Sequence, residues 1–156
     1  MRSIISISQE NYNLYIADII EIENLSFPVP WSYQLFLDEI RNPVSHLWGV
    51  VSGGTLSGYA CFWMFHDEIQ IINIAVHPSK RNQGLAQFLC ENIIRTASSN
   101  GIGSLWLEVR ESNIIAKRIY EKLGFRKIHR RRRYYRDNNE DAIVMSLMLS
   151  RKRMAL

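Results

Sequence analysis

The sequence predicts an α/β fold: a single domain with one mixed sheet, antiparallel at its centre and parallel beyond it, flanked by helices. Three observations carry that expectation. A chain of 156 residues, 47% hydrophobic and 11% aromatic, suffices for one buried core and needs no second. Short runs of strand-like alternation are interleaved with segments whose apolar residues recur every three or four positions. The resulting order, β-α-α-β-β-β-α-β-α-β-β, puts a meander before β-α-β crossovers, which mixes antiparallel with parallel pairing.

Each element has its own signal. Residues 2–7 mix apolar and polar side chains as a half-buried strand does, and after Ser8 the residues Leu14, Ile16, Ala17, Ile19, Ile20 and Ile22 recur at helical spacing to about Asn24. Phe27-Pro28-Val29-Pro30-Trp31 cannot be helical, because two prolines fix φ and withhold donors. Ser32 caps a second helix that runs to about Arg41 and stops at Asn42-Pro43. Gly53-Gly54 reads as a hairpin turn between strands at 46–52 and 56–66, and a third strand, 68–76, follows the polar break at His66-Asp67. A polar loop over 77–83 leads to a helix over 85–100 with Leu85, Phe88, Leu89, Ile93 and Ile94 on its apolar side, ended by Asn100-Gly101. Residues 104–109 form a strand, Ser112 or Asn113 opens a helix to Lys122, and Gly124 closes it. Strands at 125–135 and 142–149 flank a turn at 136–141.

Composition removes several classes of function. Two cysteines, Cys61 and Cys90, build no disulfide framework and no metal-ligand spacing, and both read as small packing residues. Four scattered histidines form no metal pair, so no metal is expected. The uncharged stretch 47–65 is long enough for a bilayer, but Gly49, Gly53, Gly54 and Gly58 break it, and no secretory signal is visible. The expectation is a cytoplasmic protein and a monomer. The formal charge of +4 is unevenly spread: residues 1–125 hold 9 Lys and Arg against 12 Asp and Glu, and residues 126–156 hold 10 against 3. Residues 1–149 are read as the domain and 150–156 as a basic tail.

The most informative segment is Arg81-Asn82-Gln83-Gly84-Leu85-Ala86, between a strand and a helix. Such a loop aims backbone N–H groups and the positive end of a helix dipole at one spot, an arrangement that favours phosphate. It is neither the nucleotide-hydrolysing nor the dinucleotide glycine motif. It fits the Arg/Gln-x-x-Gly-x-Gly/Ala signature of the GNAT acetyltransferase superfamily. Ile72-Asn73-Ile74-Ala75-Val76-His77-Pro78, Leu105-Trp106-Leu107-Glu108-Val109-Arg110, Ser112-Asn113 and Tyr120-Glu121-Lys122-Leu123-Gly124-Phe125 follow in that superfamily's order. The chain resembles it over about residues 5–149. Phe27-Pro28-Val29-Pro30-Trp31-Ser32, Arg133-Tyr134-Tyr135 and Glu140-Asp141-Ala142-Ile143 narrow the resemblance to members that acetylate the N-terminal alanine of a small-subunit ribosomal protein.

The resemblance implies a GNAT-like fold, acetyl-CoA as co-substrate without a metal, and specific duties. Backbone groups of Ile74, Ala75 and Val76, on a strand that splays from its neighbour, would align the pantetheine arm. Backbone N–H groups of Asn82, Gln83, Gly84, Leu85, Ala86 and Gln87 would wrap the pyrophosphate, and Asn113 would also contact the cofactor. Glu108 matches the family's general base and Tyr120 its general acid. Trp31 either pins its loop to the core or shapes the acceptor pocket, and of Tyr134 and Tyr135 one lines the acceptor cleft while the other packs.

The residues themselves bear on these roles. A carboxylate between apolar strand neighbours, as in Leu107-Glu108-Val109, is unusual unless paired or functional. A tyrosine late in a helix is ordinarily a packing residue. The run Arg130-Arg131-Arg132-Arg133 reads as an RNA or phosphate contact, as acceptor steering, or as a solvated strand edge. An acetyltransferase for another amine, a lysine or a small molecule, and a ribosome- or RNA-binding module on the same scaffold are the competing functions.

Overall fold

The chain runs β1 (Arg2–Ile7), α1 (Ile16–Ser26), α2 (Tyr33–Arg41), β2 (Ser45–Ser52), β3 (Thr55–Phe65), β4 (Glu68–Val76), α3 (Leu85–Ser99), β5 (Ser104–Arg110), α4 (Ile114–Lys122), β6 (Arg126–Tyr135) and β7 (Glu140–Met148). A computed structural model describes residues 1–149, and the expected basic tail at 150–156 lies outside the described residues. The seven strands form one mixed sheet in the order β1-β2-β3-β4-β5-β7-β6, whose parallel pair is β4 with β5. The expected α/β architecture and element order are therefore those observed.

The chain divides into two compact units. The first comprises Met1–Trp63 with Ile72–Cys90. Its strands β1, β2 and β3 pair antiparallel, from Arg2↔Ser52 to Ile7↔Leu47 and from Ser45↔Trp63 to Ser52↔Thr55. Gly53 and Gly54 turn the hairpin at φ +63° and +78°, the left-handed pair that a two-residue connection needs. Helix α1 starts later than its apolar pattern suggests. The Asn11 side chain accepts from the Ser8 N–H at 2.8 Å and donates to the Ser6 carbonyl at 2.9 Å. These bonds hold residues 12–14 in a separate 3₁₀ turn, so Leu14 is exposed rather than on the helical stripe. The stripe that α1 does bury is Ile16, Ile19, Ile22 and Glu23. Those isoleucines pack with Ile7, Phe36, Leu47, Leu56, Tyr59, Cys61 and Ala75. At α2 the Ser32 hydroxyl accepts from the Leu35 N–H at 3.2 Å, the expected cap.

The second unit comprises Met64–Ile71 with the described chain from Glu91 onward. Here β4 pairs parallel with β5 from Glu68↔Ser104 to Ile71↔Leu107, β5 pairs antiparallel with β7, and β7 pairs antiparallel with β6. Along β5, Leu105, Leu107 and Val109 are buried while Glu108 is exposed, the alternation expected of a strand covered on one face. Asn113 caps α4, its Oδ1 accepting from the Ala116 N–H at 3.2 Å, and Gly124 follows the helix at φ +103°. The edge strand β6 departs from simple alternation. Its register with β7 shifts between Lys127 and His129 and again between Arg131 and Tyr135, with Arg133 at φ +51°.

Candidate active site

In the first unit, β4 ends at Val76 and the chain returns through the 77–84 loop into α3. The side chains of Ala75 and Val76 are buried and that of Ile74 is half-buried, which fixes this stretch of backbone by packing. Arg81 closes the loop onto the strand: its Nε donates to the Val76 carbonyl at 3.1 Å and its Nη2 to the Ser26 hydroxyl at 3.2 Å. Asn82 and Gly84 both adopt left-handed backbone, at φ +63° and +75°, and residues 81–84 are exposed. Leu85 is buried and anchors the helix start. The first intrahelical bond of α3 runs from the Phe88 N–H to the Gly84 carbonyl at 2.9 Å, so the amides of Leu85 and Ala86 lie ahead of the ladder at the positive end of a fifteen-residue helix. Two left-handed residues before helix-terminal amides suit a pyrophosphate.

Sequence reasoning missed one residue at this end. The Arg2 guanidinium donates to the Gly84 carbonyl at 3.3 Å and lies 5.2 Å from the centre of the Phe88 ring. It adds a full positive charge beside the loop. Only the strand pairing that brings the start of β1 to the α3 terminus shows it, and no motif spacing could.

Trp31 is half-buried in the same unit. Its ring packs 5.3 Å from Phe36, and its N–H donates to Glu23 Oε1 at 2.9 Å. Glu23 itself is 1% exposed. Its Oε2 accepts from Asn73 Nδ2 at 3.0 Å and from the Tyr59 hydroxyl, while Asn73 Nδ2 also reaches the Tyr59 oxygen at 2.8 Å. Burial pushes the Glu23 carboxyl upward, opposed by the Trp31 and Asn73 hydrogen bonds. This network is the other feature that the sequence reading did not find.

The second unit holds the titratable candidates. Glu108 Oε1 pairs with Arg131 Nε at 3.2 Å, and the Tyr134 hydroxyl is hydrogen-bonded to the same carboxylate. That bond, followed by burial, raises the Tyr134 hydroxyl above its ordinary value. Of the two tyrosines, Tyr134 is therefore the exposed one joined to Glu108. Tyr135 packs beneath the Arg110 guanidinium, 4.0 Å from its ring centre, and burial pushes its hydroxyl up to about 12. Tyr120, late in α4, places its ring 5.8 Å from Phe125, and its carbonyl accepts from the Phe125 N–H at 3.0 Å. Asn113 commits its side-chain oxygen to the helix cap.

Within the arginine run the four side chains have different fates. Arg130 pairs with Glu111 at 2.6 Å and Asp141 at 2.9 Å, Arg131 holds Glu108, and Arg132 and Arg133 are exposed. Both cysteines are buried, as expected, and burial pushes the Cys61 thiol up to about 12. Among the described residues no group of three or more His, Cys, Asp or Glu is placed to hold a metal ion.

A strand, a left-handed glycine-bearing loop and a helix terminus together make a phosphate-binding corner of this α/β sheet. The chain belongs to the acetyltransferase (GNAT) family, whose model matches residues 16–125. It is similar to the ribosomal protein bS18-alanine N-acetyltransferase of Escherichia coli K12, 37% identical over 131 residues that cover 83% of this chain and 88% of that one. The crystal structure of the ribosomal-protein-S18-alanine N-acetyltransferase from Escherichia coli superposes with a TM-score of 0.88 at 33% identity, covering 100% of this chain and 99% of that one. A GNAT family acetyltransferase from Elizabethkingia anophelis with acetyl-CoA bound shares the fold, with a TM-score of 0.75 at 19% identity over 95% of this chain and 98% of that one.

Proposed function

We propose that residues 1–149 form one acetyltransferase domain that moves the acetyl group of acetyl-CoA to the N-terminal alanine of a small-subunit ribosomal protein. The observation that carries the reading is the 81–84 loop, with Asn82 and Gly84 left-handed before the α3 amides. The acceptor class rests on the similarity to the bS18-alanine enzyme. Acetyl-CoA supplies the acetyl thioester and, on transfer, a thiol leaving group. Amides from Asn82 to Gln87 hold its pyrophosphate with Arg2 adding charge, and the backbone of Ile74, Ala75 and Val76, with Asn113, orients the rest. A ribosomal acceptor places the reaction in the cytoplasm, and no helix among the described residues is long and apolar enough to cross a membrane.

The chemistry needs a neutral amine and a protonated thiol. A chain α-amino group has a pKa of about 7.7–8, so roughly a tenth is neutral at pH 7, whereas a lysine at about 10.4 costs roughly 3.4 kcal/mol more to deprotonate. A weak base is adequate for the former. Glu108, exposed on a strand whose neighbours Leu107 and Val109 are buried, takes the amine proton directly or through water. Tyr120 donates the proton that the departing sulfur requires. Trp31 and Tyr134 belong to the acceptor side, and Tyr135 supports Tyr134 through a ring contact of 5.2 Å. A phosphate or RNA contact falls to Arg132 and Arg133, since Arg130 and Arg131 are engaged with carboxylates.

Mass spectrometry of two peptides incubated with the protein and acetyl-CoA tests this. One begins with a free alanine and lacks lysine; the other has a blocked N-terminus and an internal lysine. Acetylation of the first alone is expected. Gain on the lysine peptide would move the activity to another amine, and gain on neither, with acetyl-CoA bound, would favour a binding module.

A further inference from the structure

We propose that Glu23 is a positioning residue that fixes the 27–31 segment against the cofactor strand β4, and thereby sets how well the acceptor N-terminus is held. This rests on the acceptor reading above. The segment contains Pro28 and Pro30, which have no N–H to give, so few backbone bonds can hold it. Both of its ends are bonded to one residue. The Phe27 N–H donates to the Glu23 carbonyl at 3.1 Å, and the Trp31 N–H donates to Glu23 Oε1 at 2.9 Å. The other carboxylate oxygen is bound by Tyr59 from β3 and by Asn73 from β4. Asn73 immediately precedes Ile74, Ala75 and Val76, so a single buried carboxylate ties the Trp31 backbone to the strand assigned to the pantetheine arm.

A residue serving packing alone would be apolar at this depth, because a buried carboxylate is costly unless every lone pair is used. Here the two oxygens accept from three donors on three separate parts of the first unit, and no buried side-chain polar atom among the described residues lacks a partner. The arrangement specifies a geometry. Its consequence falls on a segment whose exposed Val29 and half-buried Trp31 flank the start of α2.

The chemistry also supplies a rescue. In Glu23→Gln one oxygen becomes an NH₂ group, so a donor faces a donor whichever way the amide turns, toward Asn73 Nδ2 or toward the Trp31 N–H. Adding Asn73→Asp reverses the polarity of the first of these contacts, and the amide then donates to a carboxylate. Four readouts on the full chain separate the possibilities: hydrogen exchange at the Trp31 amide, KM for the alanine peptide, Kd for acetyl-CoA by calorimetry, and the melting temperature. In Glu23→Gln the Trp31 amide is expected to exchange about tenfold faster. The peptide KM should rise about tenfold while the acetyl-CoA Kd changes less than about twofold, because a misplaced acceptor segment spares cofactor binding. Glu23→Gln/Asn73→Asp should recover exchange and KM. Unchanged Trp31 exchange in folded Glu23→Gln, faster exchange with an unchanged KM, or a joint unrescued loss of KM, Kd and melting temperature would each overturn the proposal. If the wild-type chain leaves the alanine peptide unmodified, the acceptor reading fails and takes the functional half of this inference with it. Exchange at Trp31 would still decide whether Glu23 holds the segment.

Discussion

Glu108 has two partners that a solvated carboxylate does not need: the Arg131 guanidinium at 3.2 Å and the Tyr134 hydroxyl. A purely structural ion pair on an exposed sheet surface is worth little, about 0–1 kcal/mol, so a structural role predicts a small effect on removal. A proton acceptor predicts a large one. Glu108→Gln keeps the volume and the Tyr134 contact, and should lower kcat by roughly 10²–10⁴ with little change in acetyl-CoA affinity. Tyr120→Phe should slow the chemical step while keeping the packing against Phe125 at 5.8 Å. Steady-state kinetics beside calorimetric titration of acetyl-CoA checks both: parallel loss of turnover and affinity in Glu108→Gln would make it a cofactor support, and wild-type turnover in Tyr120→Phe would remove the acid.

At the scale of elements, local signals were legible wherever a backbone need is met by a neighbouring residue. Gly53-Gly54, the Ser32 cap, the Asn113 cap and the glycines after α3 and α4 all stand where the chain requires them. What could not be read depends on residues distant in sequence. Glu23 lies on the buried stripe of α1 because Tyr59 and Asn73, 36 and 50 residues away, supply its donors. The register shifts of β6 and the left-handed Arg133, whose N–H donates to Asp141 at 2.9 Å, likewise have no signature inside the arginine run. Gly58 belongs to this hidden class, since it looks like any glycine in a strand. A Cβ there would stand 2.9 Å from the Ala75 carbonyl, 3.1 Å from Val50 Cγ1 and 3.3 Å from Val76 Cγ2. The nearest atom is β4 backbone, which yields poorly. Gly58→Ala should therefore cost about 1–3 kcal/mol through overpacking. It should also weaken acetyl-CoA binding by displacing Ala75. Gly54→Ala is the control, because its added methyl meets nothing within 4 Å and only the φ of +78° is strained. Thermal melts with acetyl-CoA titrations distinguish them, and equal cofactor affinity in the two variants would mean that β4 absorbs the methyl.

For the molecule as a whole, the charge imbalance is largest after residue 125, yet every acidic residue of the 126–141 stretch is in an ion pair: Asp137 and Glu140 with Arg110, and Asp141 with Arg130. These pairs make stability depend on pH in a definite sense. Hydrogen bonds from Ser112, Asn138 and Arg110 hold Glu140 down at about 2, and the Arg133 N–H with the Arg130 side chain lowers Asp141. A carboxyl whose folded pKa lies below its unfolded value contributes stability that is complete above the unfolded value and vanishes as pH falls through the folded one. For Glu140 that window runs from 4.5 down to about 2. Glu23 has the opposite sign, because burial raises it, so its contribution is complete below 4.5 and declines as pH rises through its folded value. Acid therefore undermines the Glu140 and Asp141 contacts while relieving the Glu23 site. Glu140→Gln isolates the first effect, since the amide retains one acceptor but no charge. A hydrogen bond to a charged group is worth about 1.5–3 kcal/mol, and the part-exposed carboxylate should lie at the low end, a fall of roughly 3–5 °C in Tm at pH 7. Melts of wild type and variant between pH 7 and pH 3 should show that gap narrowing steadily below about pH 4.5. A gap that stays constant across the series would mean that Glu140 holds its corner by shape rather than by charge.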